Sequence, residues 1–471
     1  MRTPHLAGDI AARLDRLPAR AVWKIVFLIS LGSVFEFYDL FFTAYVAPGM
    51  VNSALFTPQS LGVFAALKSI RVAGFGTFVF ATFAGLWAGV VLLGHAADRW
   101  GRKATFTWSL VWYAACTVIM AFQQTGQALN LWRCIAGMGF GVQLITIDTY
   151  IVELVPRTLR GRAFCFNQFI SFCIVPVVAL LAWWLVPLKP AGVDGWRWVV
   201  VLGGAGAVAV WGLRAGIPES PRWLAAQGRI EEAEAILRQL ESRGAAGSSA
   251  GPLPAAPERR DAADAGPQAP AKLAEIFTAR YRGRTVMLSV FNAAQVIGFY
   301  GFNSWVPTLL MARGISLTHG LEYGFMIALA QPVGPLLGGW FADSLERRTQ
   351  IIGGLICMGI SMGIFAAATS AAVLVSMGIA FTLAANIMSY AYHGYQAELF
   401  PTRIRSRATG FVYSWSRLAA AFAGLLVGAL LTAGGVPAVA AFIGGAMILG
   451  VAVIGLFGPA TRGLALEDLN E

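Results

Sequence analysis

Twelve separate stretches of this chain are apolar enough, and long enough, to lie in hydrocarbon, and that leaves few choices of fold. A bilayer core about 30 Å thick takes roughly 20 helical residues per crossing, and every backbone group inside it must find its partner within the protein. The stretches run approximately over 22–47, 72–96, 104–122, 128–153, 163–187, 197–216, 286–310, 323–343, 350–370, 373–397, 408–432 and 436–458. With 57% hydrophobic and 13% charged residues among 471, and a mean hydropathy of +0.66, polar surface is too scarce for a soluble globule. The predicted fold class is therefore an all-α membrane protein of twelve transmembrane helices. The first apolar run has no small-residue cleavage site and reads as a retained anchor.

A formal charge of +11 raises the question of nucleic acid, but the basic residues are sorted by side. Arg13, Arg16, Arg20 and Lys24, then Arg99, Arg102 and Lys103, Arg157, Arg160 and Arg162, the central loop, Arg347 and Arg348, and Arg403, Arg405 and Arg407 share one face. The other face has Lys68, Arg71, Lys189, Arg197 and Arg313. By the positive-inside rule both termini are cytoplasmic, in a membrane of the bacterial inner (plasma) type. The charge is a topology signal, and no nucleic-acid partner is expected. The five cysteines (116, 134, 165, 173 and 357) all fall in spans without ligand-like spacing, so neither disulfide nor metal is implied.

The chain is also duplicated. After the second stretch stands GHAADRWGRK (94–103), and after the eighth GWFADSLERR (339–348). After the fourth comes ELVPRTLRGRA (153–163), and after the tenth ELFPTRIRSRA (398–408). Asp98 and Asp343, like Glu153 and Glu398, are 245 residues apart, so two independent motifs share one register. A six-helix unit is repeated in parallel, which predicts bundles over 22–216 and 285–458. A cytoplasmic linker covers 217–284, with cytoplasmic ends at 1–21 and 459–471. In transporters built this way the substrate lies near the midplane between the halves. Within the linker, 228–244 has Ile230, Ala233, Ile236, Leu237 and Leu240 on one face and Glu234 and Arg238 four apart, which predicts an amphipathic helix under the bundle. The Gly/Ala/Pro/Ser segment over 244–271 reads as flexible linker.

Charges inside spans are the expensive ones, roughly 2.5–3.5 kcal/mol each on insertion scales, and so mark cavities, partners or function. Among the acids only Glu36, Asp39 and Asp148 lie well inside a span, and among the bases only Arg133 and Arg417. Glu36 and Asp39 are three apart and share a helix face. A carboxylate that is ionised in one surrounding and protonated in another is the chemistry of a proton carrier. Arg417, with no acid on its own helix, suits bidentate capture of a carboxylate ligand; the competing reading is a structural pair with Glu36 or Asp148.

These residues resemble the major facilitator superfamily, and more narrowly its sugar-transporter-like branch, over essentially the whole chain. GHAADRWGRK matches its loop signature, RCIAGMGFG (133–141) its fourth-helix signature, and PESPRWL (218–224) the narrower branch. FEFYDLFF (35–42) is similar to the first helix of metabolite:proton and aromatic-acid:proton symporters. The resemblance implies a proton-coupling set of Asp39, Glu36 and Arg133, in which Asp39 exchanges Arg133 for a proton; a static pair positioning two helices is the alternative. It further implies a cytoplasmic ionic gate of Asp98, Arg99, Arg102, Glu153 and Arg162, repeated as Asp343, Arg347, Glu398 and Arg407; charges that only fix topology and orientation are the alternative. The second copy has Glu346 where the first has Gly101, which predicts a weaker second cluster.

Substrate-site candidates are Arg417, Asn167, Gln168, Gln295, Tyr300, Asn303, Tyr390, His393 and Trp415. FNQF (166–169) is similar to sugar porters, whereas the seventh and tenth spans lack those porters' paired glutamines and tryptophan. His393 reads either as a satisfied core histidine or as a proton relay, and Tyr392 as a candidate for stacking on a planar ligand. The expected function is a proton-coupled symporter importing a small organic anion by alternating access, as a monomer, driven by the proton gradient without cofactor. A sugar or polyol transporter is the second reading, and a non-transporting receptor or integral enzyme the third. No P-loop, His-Glu metal signature or Ser-His-Asp arrangement is apparent in the sequence to support ATP-driven or hydrolytic chemistry.

Overall fold

Hydrocarbon leaves a backbone no partner but itself, and the chain answers with helices. The computed structural model describes residues 9–10, 12–53, 55–57, 74–156, 159–213, 217–245, 273–341 and 345–461. Asp343 and most of the Gly/Ala/Pro/Ser segment fall outside these residues. The first half comprises α1 Ala19–Asn52, α2 Phe75–Leu93, α3 Arg102–Ala121, α4 Gly126–Leu154, α5 in two pieces (Arg160–Phe172 and Ile174–Leu185) and α6 Gly195–Leu213. The second half begins with α7 (Arg282–Asn303, continued by Val306–Ala312) and α8 (Leu317–Ala328 and Val333–Phe341). It goes on through α9 Arg347–Ala367 and α10 Ala371–Glu398 to a helical stretch Thr402–Phe457. Gly435, at φ 66°, breaks that stretch into α11 before it and α12 after it. The breaks of α7 and α8 stand beside Pro307 and Pro332, which supply no N–H to the helix ladder.

Large apolar side chains cover the outside, among them Trp108, Trp184, Trp340 and Leu456. In water such a surface would aggregate, whereas lipid accepts it. Trp415 belongs to this outer surface. It sits two residues from both Tyr413 and Arg417 on α11, hence on the opposite side of the helix, and is exposed. Its expected place in the substrate site is corrected accordingly.

The spaced glycines of the fourth helix have a steric role. A Cβ on Gly85 or Gly89 of α2 would lie 2.1 Å from the carbonyl oxygen of Cys134 or Met138 on α4, and one on Gly141 would lie 2.3 Å from that of Leu86. Only glycine lets the two backbones approach this closely, and that approach carries Arg133 up against α2. The linker helix, predicted over 228–244, is found at Ile230–Ala245. It buries Ala233, Leu237 and Leu240 in one cluster with Leu14, Leu17, Val22 and Ile25. Arg13 grips Glu241 with two hydrogen bonds of 3.0 and 2.8 Å, fastening the N-terminal segment to that helix.

The two halves meet through aromatic rings and small residues at the face away from the linker. Phe75 of α2 lies 5.1 Å from Trp305, Phe80 lies 5.7 Å from Phe422 of α11, and Phe83 lies 4.5 Å from Tyr300 of α7. A Cβ on Gly76 would come within 3.0 Å of the Gly424 carbonyl. Toward the linker face, Asp148 and His393 are exposed even though both stand close enough to Arg417 to feel its charge. The space between the halves thus opens on the linker side and is shut on the other.

Gly85→Ala is expected to force α2 from α4 and to lower stability by about 1–3 kcal/mol. The check is the thermal unfolding midpoint in detergent; an unchanged midpoint would mean that the close approach is dispensable.

Candidate functional site

Arg133 of α4 is completely buried, and its guanidinium is served by α1 and α2. Nη1 donates to Asp39 Oδ2 at 2.7 Å, Nη2 to the Asp39 carbonyl at 2.8 Å and to Thr43 Oγ1 at 3.0 Å, and Nε to Thr82 Oγ1 at 2.9 Å. The other carboxylate oxygen of Asp39 accepts from Thr117 Oγ1 of α3 at 3.0 Å. Phe42 and Phe78 cover the guanidinium faces at 4.8 and 5.3 Å. In a low-dielectric interior this is a high-stakes contact: nearly every donor is paired, and removal of one member strands the other. The helix-one acid and helix-four base singled out in the sequence are therefore in direct contact. Glu36, buried one turn earlier on α1, is not part of this ion pair.

Arg417 is treated differently. It is 5% exposed and has no carboxylate at ion-pair distance among the described residues. Nη2 donates to Tyr413 Oη at 2.6 Å and Nη1 to Tyr300 Oη at 3.3 Å, while the guanidinium sits 4.7 Å over the Tyr413 ring. Its Nε is buried without a hydrogen-bond partner. Asp148 lies within electrostatic reach, but the bonds go to phenols, so the expected alternative of a direct ion pair with Glu36 or Asp148 is not what forms. His393 stands beside this group, its ring 5.6 Å from that of Tyr413. Its Nδ1 is 2.7 Å from the Ser389 carbonyl and its Nε2 3.2 Å from Tyr392 Oη.

The remaining substrate candidates divide. Asn167 is buried and its Oδ1 accepts from Ser33 Oγ at 3.0 Å, a tie between α1 and α5; Gln168 is half-buried on the same helix. Tyr390 packs against Gly338 of α8. Gln295 and Asn303 are buried on α7. Asn303 Oδ1 accepts from Gln331 Nε2, and Gln331 Oε1 accepts from Asn386 Nδ2, both at 2.9 Å, forming an amide chain across α7, the α8 break and α10.

The gate residues are ties inside each half in this conformation. Arg102 binds Glu153 at 2.8 Å and Asp98 at 2.9 Å; Arg347 binds Glu398 at 3.0 Å, at the positions the 245-residue register equates. Neither pair crosses from one half to the other, so what they brace is α3 to α4 and α9 to α10. Arg99, Arg162 and Arg407 are exposed. Two residues outside the gate set complete the pattern. Glu219 of PESPRWL accepts the backbone N–H of Arg102 and Lys103 at 3.0 and 3.1 Å, capping α3 from 117 positions away in sequence. A Cβ at Gly101, where φ is +95°, would meet that carboxylate at 2.5 Å. In the second half Glu346 itself accepts from the Thr461 N–H at 3.0 Å, so the departure from glycine reverses the tie instead of removing it. The phenols of Tyr150 and Tyr395, again 245 apart, close both halves on the carbonyls of Pro218 and Pro459.

Several residues of the two centres escaped the sequence reading. Tyr413 and Thr43 carried a signal, each four positions from a charged intramembrane residue and so on its helix face. Thr82, Thr117, Gln331 and Asn386 carried none, since nothing local marks a hydroxyl or amide that a distant helix will need.

The profile described as sugar (and other) transporter matches residues 25–471. The niacin transporter of Acinetobacter baylyi is 26% identical, with 98% of this chain and 100% of the relative covered. An inner membrane metabolite transport protein of Escherichia coli is 28% identical over 81% of this chain and 82% of the relative. A gallate transporter of Pseudomonas putida is 26% identical over 93% and 92%. Among solved structures, the inward open conformation of the xylose transporter XylE from E. coli superposes with a TM-score of 0.73 at 21% identity, covering 95% of this chain and 99% of that one.

Arg133→Leu leaves the Asp39 carboxylate buried without its counter-ion and is expected to cost about 3–5 kcal/mol of stability. Adding Asp39→Asn to that variant should recover part of the loss. Equal unfolding midpoints for the single and double variants would show that the pair is not coupled.

Proposed function

Because this chain belongs to the sugar (and other) transporter family of the major facilitator superfamily, we propose that it is a proton-coupled symporter importing a small organic anion, an aromatic or other carboxylic acid, by alternating access. The observation that carries the reading is Arg417: a guanidinium beside the opening between the halves, held by neutral phenols, with a buried Nε still to be satisfied. A carboxylate is the ligand whose two oxygens and charge answer that need. Tyr300, Tyr392 and Tyr413 offer ring faces beside it for a planar ligand. Niacin and gallate, named for two relatives, are both aromatic carboxylic acids.

The basic loops assign the linker face to the cytoplasm, so the conformation, in which Asp148 and His393 are exposed toward that face, is inward-facing. Proton coupling falls to Asp39. While Asp39 is ionised, its side chain and carbonyl hold α1 against α4 through Arg133. A proton on either carboxylate oxygen removes the charge that Nη1 binds, and the clasp between the two helices loosens. The ties of Arg102 to Glu153 and of Arg347 to Glu398 keep each half rigid while the halves rock. The protein acts as a monomer in the bacterial plasma membrane, with both termini in the cytoplasm.

The family description and the xylose transporter's fold keep a sugar or polyol as the second reading, and the buried amides of Asn303, Gln331 and Asn386 favour it. Those amides, however, are spent chiefly on one another, and a polyol needs donors and acceptors that are free.

Two outcomes test the proposal in proteoliposomes. Asp39→Asn should abolish accumulation driven by a proton gradient while leaving substrate exchange measurable; undiminished accumulation would remove Asp39 as the coupling site. Arg417→Ala should weaken binding of an aromatic monocarboxylate by about 2–5 kcal/mol, a loss of roughly 30-fold or more. Stabilisation of the purified protein by sugars and by no carboxylate would overturn the anion reading.

A further inference from the structure

We propose that Phe83 of α2 and Tyr300 of α7 couple the two arginine centres. Their ring contact holds the Tyr300 hydroxyl against Arg417 while Asp39 is ionised and yields when Asp39 takes a proton, so that proton and anion favour each other. Both are positioning residues in this role, which rests on the reading of Asp39 as the proton site and Arg417 as the anion site.

Two consecutive residues of α2 reach the two centres. Thr82 is buried, and its hydroxyl spends its hydrogen on the Phe78 carbonyl at 2.9 Å, so it meets Arg133 Nε as an acceptor, also at 2.9 Å. Phe83, about 100° further round the helix, points across to the other half. Its ring centroid is 4.5 Å from that of Tyr300, with the planes at 56°. Tyr300 Oη in turn accepts from Arg417 Nη1 at 3.3 Å. Asp39, Arg133, Thr82, Phe83, Tyr300 and Arg417 thus form an unbroken series, each joined to the next by a hydrogen bond, the backbone or a ring contact.

The series can transmit a displacement because α2 and α4 are locked backbone to backbone at this level. A Cβ on Gly137 would lie 2.7 Å from the Thr82 carbonyl oxygen, and one on Gly85 2.1 Å from that of Cys134. The clasp of Asp39 on Arg133 ties this two-helix piece to α1. A proton on Asp39 removes the charge from that clasp, the piece is free to shift against α1, and Phe83 moves with it.

At the other end the phenol is a placeholder. A carboxylate is the stronger acceptor for a guanidinium, but it gains Nη1 only if Tyr300 gives way. Tyr300 is hemmed in by Phe83 on one side and by Phe299, whose ring is 5.0 Å away, on another. Ionised Asp39 therefore opposes the anion and protonated Asp39 admits it; by linkage the anion raises the proton affinity of Asp39 by the same factor. The charged and titratable groups around Asp39 are Arg133 from α4, Cys116 from α3 and, on its own helix, Glu36 and Tyr38. The ring contact crosses between the halves and parts when they rock, so the coupling belongs to the inward-facing conformation.

The test measures benzoate affinity of the full chain, purified in detergent, by calorimetry at a single pH near 7. Asp39→Asn, which imitates the protonated acid, should tighten benzoate by about fivefold or more in the native background. Phe83→Leu should by itself tighten benzoate, and adding Asp39→Asn to it should change the affinity less than twofold; Tyr300→Phe should flatten the Asp39→Asn effect likewise. Phe83→Tyr keeps the ring and should keep the full effect. A merely structural Phe83 would instead weaken binding and leave the Asp39→Asn ratio in place. Should Phe83→Leu fail to fold, Tyr300→Phe probes the same link with every ring retained. An Asp39→Asn effect of equal size in all backgrounds, or none in the native one, overturns the inference. Proton uptake on benzoate binding, read in buffers of differing ionisation enthalpy, should vanish in Asp39→Asn; its persistence removes Asp39 as the proton site, and the inference with it. A native protein that binds none of benzoate, nicotinate or gallate overturns the anion reading, on which this one rests.

Discussion

A guanidinium enclosed by a membrane protein has five N–H donors that need partners, and the two intramembrane arginines of this chain meet that need in opposite ways. Arg133 is satisfied by its own half: a carboxylate, a carbonyl and two threonines from α1 and α2, with α3 steadying the carboxylate. Its position depends on α2 and α4 lying closer than any side chain would permit, which is what the glycines are for. Arg417 is satisfied by phenols alone and keeps a buried donor in hand. One arginine is a closed structural and charge-coupled unit, the other a site with capacity to spare, and the proposed division of labour between proton and anion follows from that contrast.

The braces at the linker face make the halves behave as bodies. Each combines an Arg–Glu pair, a carboxylate-to-backbone tie and a tyrosine bonded to the carbonyl of a proline, and every one of these closes within its own half. Contacts between the halves are of another kind. Rings and glycines dominate them at the far face, where surfaces can part without leaving a charge unpaired. That is the arrangement alternating access requires: strong, directional bonds inside each moving body, and non-directional contacts where the bodies separate.

Much of this was legible before any coordinates. Hydropathy marked the crossings, the 245-residue register marked the duplication, and the cost of charge in hydrocarbon singled out Asp39, Arg133 and Arg417. The illegible parts share a cause. Trp415 was grouped with cavity aromatics because lipid and cavity both accept an indole, and only its angle around α11 decides between them. Glu219 belonged to a known motif, yet nothing nearby said that its carboxylate caps a helix more than a hundred residues earlier. The gate charges were read as a latch on the cytoplasmic side, and which of them pair in this conformation, Arg102 with Glu153 and Arg347 with Glu398, depends on which helix ends stand side by side.

What the sequence determined by itself was the solvent, the number of crossings, the repeat and the short set of residues too costly to be incidental, since each of these is a local property read against one number, the thickness of hydrocarbon. What only the tertiary structure decided was partnership: that every guanidinium nitrogen of Arg133 finds an acceptor, whereas Arg417 is held by two phenols with its Nε left over. Hydrogen bonds act over about 3 Å, and residues far apart in the chain come within that distance only when helices have packed.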